Sequence, residues 1–295
     1  MMRRLVGSEM CIRDSIGNLP HLQDITTKLE LLNSMGSSIN FHEDGFIEIN
    51  SSNILLPEAR YELVKTMRAS ILVMGPLVAR YGKAKISQPG GCDIGTRPID
   101  FHLSGLEKMG AEITSDSRYI YLKAKKLNPI DFSFPKVSVT GTENLMMAAT
   151  LIDGTTTLKN CAKEPEVLEL ANYLNSCGAK ISGAGESEIE IKGVKKLEAS
   201  RWDVLFDRIE AGTYLVAGAI TNGHVKVNKI NPNTISIISK KLIDMGVKVN
   251  VGSDYVEVDA TSSDLKAQDI YTEPFPGFPT DMQAQFMTLN TIASG

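Results

Sequence analysis

Met35-Gly36-Ser37-Ser38-Ile39, Met109-Gly110-Ala111-Glu112-Ile113, Cys177-Gly178-Ala179-Lys180-Ile181 and Met245-Gly246-Val247-Lys248-Val249 are four versions of one phrase. In each, a helical stretch ends in Met or Cys, glycine follows, then a small or β-branched residue, and an apolar residue stands two further on. The glycines lie 74, 68 and 68 residues apart. Each suits the C′ position of a helix, where a left-handed backbone is cheapest without a Cβ. A polar turn and an alternating strand follow: Phe46-Ile47-Glu48-Ile49, Tyr119-Ile120-Tyr121-Leu122, Glu188-Ile189-Glu190-Ile191 and Tyr255-Val256-Glu257-Val258. Between them a second element recurs, an Ala- and Leu-rich helix that runs into Gly82, Gly154 or Gly223 and then a strand. Recurrence at a fixed period marks a repeat architecture. The expected fold class is therefore α/β, built from repeated units with mixed sheets. Gly295 falls 72 residues after Gly223, so the sequence is expected to break off inside a unit, where a strand should begin.

Length and composition set the outer bounds. At 295 residues the chain is too long for one ordinary core and suits two domains. Hydrophobic residues at 42% and charged residues at 22% place it among soluble globular proteins. No apolar run approaches the roughly 18 residues of a membrane helix, so no membrane partner is expected. The net charge of -4 argues against nucleic acid as a partner, since that role needs a basic stripe. A small polyanion held by a few arginines remains compatible with it. Cys11, Cys92, Cys161 and Cys177 show no paired spacing, which speaks against zinc and disulfides and for a reducing, cytoplasmic setting. Residues 1–15 (MMRRLVGSEMCIRDS) carry two early arginines with no apolar stretch behind them, and neither helical nor strand period. They read as a sequencing artefact and are expected to stay outside the fold.

The most unusual segment is Lys83 to Asp100, KAKISQPGGCDIGTRPID. Pro89, Gly90 and Gly91 form a turn with Cys92 at its tip. Near Lys83, Lys85 and Arg97 such a thiol would be reactive; buried, it would be a small inert hydrophobe. Cys161 and Cys177, at the ends of apolar elements, read as core residues. Arg68, in Lys65-Thr66-Met67-Arg68-Ala69-Ser70, is either a solvated cation or, with Arg97, half of a fork for phosphate or carboxylate. Asp281, after a proline-rich loop, reads first as a helix N-cap, with Thr280 the alternative cap and a catalytic base the other reading. Asp207-Arg208-Ile209-Glu210 also opens a helix, with Glu210 favoured by the helix dipole. His21, His42, His102 and His224 show no ligand spacing, so no metal is assigned, and neither a dinucleotide fingerprint nor a P-loop is present.

Taken in order, Lys-Thr-Met-Arg-Ala-Ser, the Pro-Gly-Gly-Cys loop with Arg-Pro-Ile-Asp, Val-Ser-Val-Thr-Gly-Thr-Glu-Asn, Asp-Arg-Ile-Glu-Ala-Gly-Thr and Phe-Pro-Thr-Asp-Met-Gln-Ala-Gln resemble the UDP-N-acetylglucosamine 1-carboxyvinyltransferase family from about Ile16 onward. The resemblance implies an inside-out α/β barrel of the enolpyruvyl transferase type, with two domains of pseudo-threefold repeats. Residues 16–206 would form the first domain with the catalytic loop, and residues 207–295 part of a second, incomplete one. It implies phosphoenolpyruvate and UDP-N-acetylglucosamine as substrates and no cofactor. By matching motif, Cys92 is the general acid and the fosfomycin target, and Asp281 is placed to take the proton of the sugar hydroxyl. Arg68 and Arg97 hold the phosphate or carboxylate of phosphoenolpyruvate. Arg97, Pro98, Ile99, Asp100 and Phe101, with Lys136, Ser138, Val139 and Thr140, match the uridine diphosphate site.

Two departures qualify the resemblance. The family's N-terminal Gly-Ala-Lys-Asn segment and its arginine-bearing C-terminal stretch have no counterpart here, so this chain is expected not to turn over. Loss of the N-terminal strand is also expected to leave an open sheet edge in the second domain, and with it poor solubility. Two other readings stay open: the sister transferase that uses shikimate 3-phosphate, and a non-catalytic sugar-nucleotide-binding module.

Overall fold

The structure is a computed structural model that describes residue 10 and residues 13–64, 67–88 and 99–295, with Arg68 described in its backbone alone. The chain divides into two compact units, one ending at Val204 and the other spanning Leu205–Gly295.

The first unit contains three turns of one pattern. Its elements run β1 (Arg13–Gly17), α1 (Gln23–Met35), β2 (Ser38–Phe41) and β3 (Ile47–Asn50), then β4 (Glu58–Ala59) and α2 (Tyr61–Val64). A 3-10 helix over Arg68–Val73 leads into α3 (Met74–Tyr81), followed by β5 (Lys83–Ser87), α4 (Asp100–Lys108), β6 (Glu112–Ser115) and β7 (Tyr119–Lys123). The third turn holds β8 (Asp131–Ser133), α5 (Val139–Ala149), β9 (Thr155–Lys159), α6 (Pro165–Ser176), β10 (Lys180–Ser182) and β11 (Glu188–Lys192), and β12 (Arg201–Asp203) ends it. The three sheets have one topology: β12-β1-β3-β2, β4-β5-β7-β6 and β8-β9-β11-β10. In each, the outermost strand pairs in parallel with its neighbour and the other pairings are antiparallel. The parallel pairs β4–β5 and β8–β9 are joined through helices, as a parallel crossover requires. β12 returns to the first strand, Ser15 opposite Arg201 and Gly17 opposite Asp203, and so closes the ring of repeats.

Helices occupy the inside of this unit. Every residue from Gly141 to Ala149 of α5 is buried, so that helix is enclosed on all sides. Met74 to Val78 of α3 are buried as well. The sheets instead bury alternate residues, as in β7 and β11, and face solvent with the rest. The four glycines of the repeated phrase take φ of 115°, 103°, 94° and 91° at Gly36, Gly110, Gly178 and Gly246, so each ends its helix in the left-handed region. Gly82 ends α3 in the same way and Gly154 is left-handed just ahead of β9, but at the third site the left-handed residue is Asn222, one position before Gly223. Asparagine tolerates that region through its short polar side chain.

Residues 13–15 depart from expectation. Arg13, Asp14 and Ser15 pair with Asn50, Ile49 and Glu48 as part of β1, and Met10 is buried. Strand pairing is made by backbone groups, so a stretch without strand periodicity can still complete a sheet. Asp14 sits buried there, accepting the Ser200 N–H at 3.3 Å.

The second unit comprises α7 (Arg208–Ile220), β13 (His224–Asn228), α8 (Ser236–Asp244), β14 (Lys248–Val251), β15 (Tyr255–Asp259) and α9 (Gln283–Asn290). Asp207 caps α7 by accepting the N–H groups of Ile209 at 2.7 Å and Glu210 at 3.1 Å, with Glu210 in the first turn. The sheet β13-β15-β14 keeps the repeat's antiparallel order, and among the described residues no parallel strand covers β13. Further on, Lys266 and Ser294 form a parallel bridge in the same sense as β8 on β9. Leu215, Ile235, Leu242, Val256 and Met282 fill the core, with the rings of Phe278 and Phe286 edge to face at 5.0 Å.

Candidate functional site

Of the residues assigned a role from sequence, Cys92, Arg97 and Pro98 lie outside the described residues, as does the side chain of Arg68. All of the remainder but Asp281, which lies in the second unit, fall in two places. Ile99, Asp100 and Phe101 form the start of α4, Ile99 as its N-cap residue. Ser138, Val139 and Thr140 form the start of α5, preceded by the exposed Lys136. Ser138 caps α5 through its own hydroxyl, which accepts the Gly141 N–H at 3.1 Å. The N–H groups of the first turn ahead of Gly141 give this helix end its positive partial charge, a setting suited to anions.

The fold brings the two helix starts together. His102 Nε2 of α4 lies 3.2 Å from Thr140 Oγ1 of α5. His102 Nδ1 lies 2.8 Å from the side-chain nitrogen of Asn144, whose oxygen accepts the Gly75 N–H of α3 at 2.7 Å. The three helices joined in this way each continue a segment singled out in the sequence: Arg68 to Ser70 ahead of α3, Ile99 to Phe101 in α4, and Ser138 to Thr140 in α5. Packing is as close as the hydrogen bonding. A Cβ on Gly75 would stand 2.4 Å from the Asn144 backbone oxygen, and one on Gly105 of α4 would stand 2.3 Å from Leu145 Cδ1. Sequence reasoning assigned His102 no role and passed over Asn144. The available signal was a polar triplet, Thr142-Glu143-Asn144, at the head of an otherwise apolar helix; all three are fully buried.

The strand leading toward Cys92 ends in a fixed geometry. Gln88 donates its backbone N–H to the Arg118 carbonyl at 2.8 Å and its side-chain amide to the Asp116 carbonyl at 2.7 Å. Asp116 in turn accepts the N–H groups of Arg118 and Tyr119, which with the Tyr121 hydroxyl hold its carboxyl below the usual value. Lys85, one of the cations that could lend charge to the Cys92 thiol, is engaged by Glu58 at 3.0 Å and lies over the Tyr119 ring at 4.1 Å. The hydrogen bond to Glu58 is the main cause of its raised pKa.

Asp281 belongs to the second unit, in a 3-10 turn over Thr280–Met282. The expectation of a capping role fails for it and for Thr280. Neither that turn nor α9 receives a side-chain cap bond, and Asp281 is exposed. The proline-rich loop enters the turn with Pro279 at its cap position, and Met282 holds that position for α9. Cys161 and Cys177 are buried as expected. Burial pushes the Cys161 thiol up to about 12. Iodoacetamide at mildly alkaline pH is therefore expected to leave both cysteines unmodified in the folded chain and to label them after denaturation. Labelling of Cys161 under native conditions, read by peptide mass, would show that the α5–β9 core opens. Among the described residues, no group of three or more His, Cys, Asp or Glu is placed to hold a metal, and no helix is long and apolar enough to cross a membrane.

The profile of the EPSP synthase (3-phosphoshikimate 1-carboxyvinyltransferase) family matches residues 9–295. The chain belongs to this family. Within it, the chain is 50% identical over 281 residues to the UDP-N-acetylglucosamine 1-carboxyvinyltransferases of several strains of Coxiella burnetii, an alignment covering 95% of this chain and 65% of each relative. The chain thus spans just under two thirds of the length of these curated relatives. Among solved structures, the enolpyruvyl transferase NikO from Streptomyces tendae superposes with a TM-score of 0.86 at 19% identity, covering 100% of this chain and 70% of that one. An EPSP synthase from Acinetobacter baumannii superposes with a TM-score of 0.67 at 18% identity, covering 92% of this chain and 64% of that one. These likenesses show the fold: the buried helices ringed by sheets are the inside-out α/β architecture of the enolpyruvyl transferases.

Proposed function

We propose that the protein is a UDP-N-acetylglucosamine 1-carboxyvinyltransferase, which moves the enolpyruvyl group of phosphoenolpyruvate to the 3′-hydroxyl of the sugar and releases phosphate at the start of peptidoglycan precursor synthesis in the cytoplasm. The observation that carries this reading is the 50% identity along 95% of the chain to relatives of that name. The two compact units would be the first domain and part of the second. No cofactor is needed, because the chemistry is acid–base.

The alcohol oxygen adds to C2 of phosphoenolpyruvate while C3 gains a proton, and the tetrahedral adduct then expels phosphate from C2 as C3 gives up a proton. Addition calls for one acid and one base on the two faces of the reacting double bond. Cys92 is the acid in this scheme and Asp281 the base that receives the hydroxyl proton. Arg68 and Arg97 offset the charge of the phosphate and carboxylate. Ile99, Asp100 and Phe101, with Lys136, Ser138, Val139 and Thr140, hold the uridine diphosphate, an anion suited to the positive end of α5.

The sister reaction would use shikimate 3-phosphate, which has no nucleotide, so the acceptor discriminates. Calorimetric titration of this chain is expected to give saturable binding of UDP-N-acetylglucosamine and none of shikimate 3-phosphate. Lys136→Ala is expected to weaken the former about fivefold, as loss of one exposed charge contact to phosphate. Binding of shikimate 3-phosphate alone would replace this reading with the sister transferase.

A further inference from the structure

We infer that His102 and Asn144 form a positioning pair that aims the Thr140 hydroxyl outward as a hydrogen-bond donor to an acceptor oxygen of the bound sugar nucleotide. The inference rests on the functional reading above and deepens it. It starts from the backbone. The Gly75 N–H can only donate, so the atom of Asn144 it meets at 2.7 Å is the amide oxygen. That fixes the Asn144 amide and turns its NH2 toward His102 Nδ1, 2.8 Å away. Nδ1 must then accept, and carries no proton. A neutral imidazole with a bare Nδ1 has its proton on Nε2, which faces Thr140 Oγ1 at 3.2 Å.

The chain of donors therefore runs one way: Gly75 N–H to Asn144, Asn144 to His102, His102 to Thr140. Thr140 Oγ1 accepts from the ring, so its own proton cannot point back along the same line. Among the described residues no acceptor takes that proton. Thr140 is half-buried at the second residue of α5, beside Ser138 and Val139, while His102 and Asn144 are 2% and 0% exposed. A buried pair holding a half-exposed hydroxyl in one orientation makes a donor that is set before the ligand arrives, so little rotor freedom is lost on binding. The burial also shields the tautomer, because a ring only 2% exposed gives bulk solvent little access to Nδ1.

Two measurements test this together. Long-range proton–nitrogen spectra of the 15N-labelled chain are expected to show His102 neutral with its proton on Nε2. Titration with UDP-N-acetylglucosamine is expected to show Thr140→Val binding about tenfold more weakly than the parent and Thr140→Ser within about threefold of it, since serine keeps the donor. A proton on Nδ1 in the parent, or a Thr140→Val chain that binds as tightly as the parent, overturns the inference while leaving the functional reading intact. A parent that does not bind the sugar nucleotide overturns both. Should Thr140→Val fail to fold, the tautomer and the serine variant decide: equal loss in Thr140→Ser and Thr140→Ala would show that the hydroxyl donates nothing to the ligand.

Discussion

Asp281→Asn is expected to lower enolpyruvyl transfer by two to four orders of magnitude, in line with the roughly 10²–10⁴-fold worth of a positioned acid or base. Asparagine has nearly the same shape but cannot take up the sugar hydroxyl's proton. The structure makes this a clean substitution, because the Asp281 side chain is exposed and caps neither the turn that carries it nor α9. Thermal stability should stay within about 0.5 kcal/mol, as for ordinary surface changes. Cys92→Ala is expected to cost a similar factor as loss of the acid. The assay belongs on a chain extended to the full span of the relatives, of which the present one covers 65%. An Asp281→Asn enzyme with unchanged turnover would remove the base from the scheme.

Gly75→Ala is expected to destabilise the first unit by about 3 kcal/mol or more. The added Cβ would stand 2.4 Å from both the backbone oxygen and the side-chain oxygen of Asn144, and neither helix has room to retreat, since α3 and α5 are buried along their contact. Part of the cost is overpacking. The rest is the loss of the hydrogen bond from Gly75 to Asn144 inside a region no water reaches. Gly45→Ala provides the contrast: nothing stands within 4 Å of its Cβ, so only the left-handed backbone, φ 84°, opposes it, at about 1–2 kcal/mol. Chemical denaturation of the two variants, followed by circular dichroism, should place them well apart. Similar midpoints would mean that α3 and α5 pack more loosely than the structure shows.

How far the sequence could be read follows from the range of the forces involved. Gly36, Gly110, Gly178 and Gly246 were legible because a left-handed helix end is a requirement on one residue. The alternating strands that follow them were legible because one face of each is buried. That Asp207-Arg208-Ile209-Glu210 opens a helix could be read for the same local reason. Asp281 could not, because the cap position went to Pro279 and the choice between them depends on how the preceding loop enters the turn. The closure of β12 on β1 links residues about as far apart as Ser15 and Arg201 through backbone groups alone, which leave no mark on side-chain pattern. His102 carries no metal-ligand spacing to mark it, and its partners Thr140 and Asn144 stand 38 and 42 positions away on another helix.

Amide chemical-shift mapping tests most directly whether the starts of α4 and α5 in this chain bind the uridine diphosphate of a sugar nucleotide. Adding UDP-N-acetylglucosamine to the 15N-labelled chain is expected to shift the amides of Asp100, Phe101, Ser138, Val139 and Thr140 more than any others described, with shikimate 3-phosphate leaving them in place. Shifts confined to other parts of the chain, or equal shifts with shikimate 3-phosphate, would contradict it.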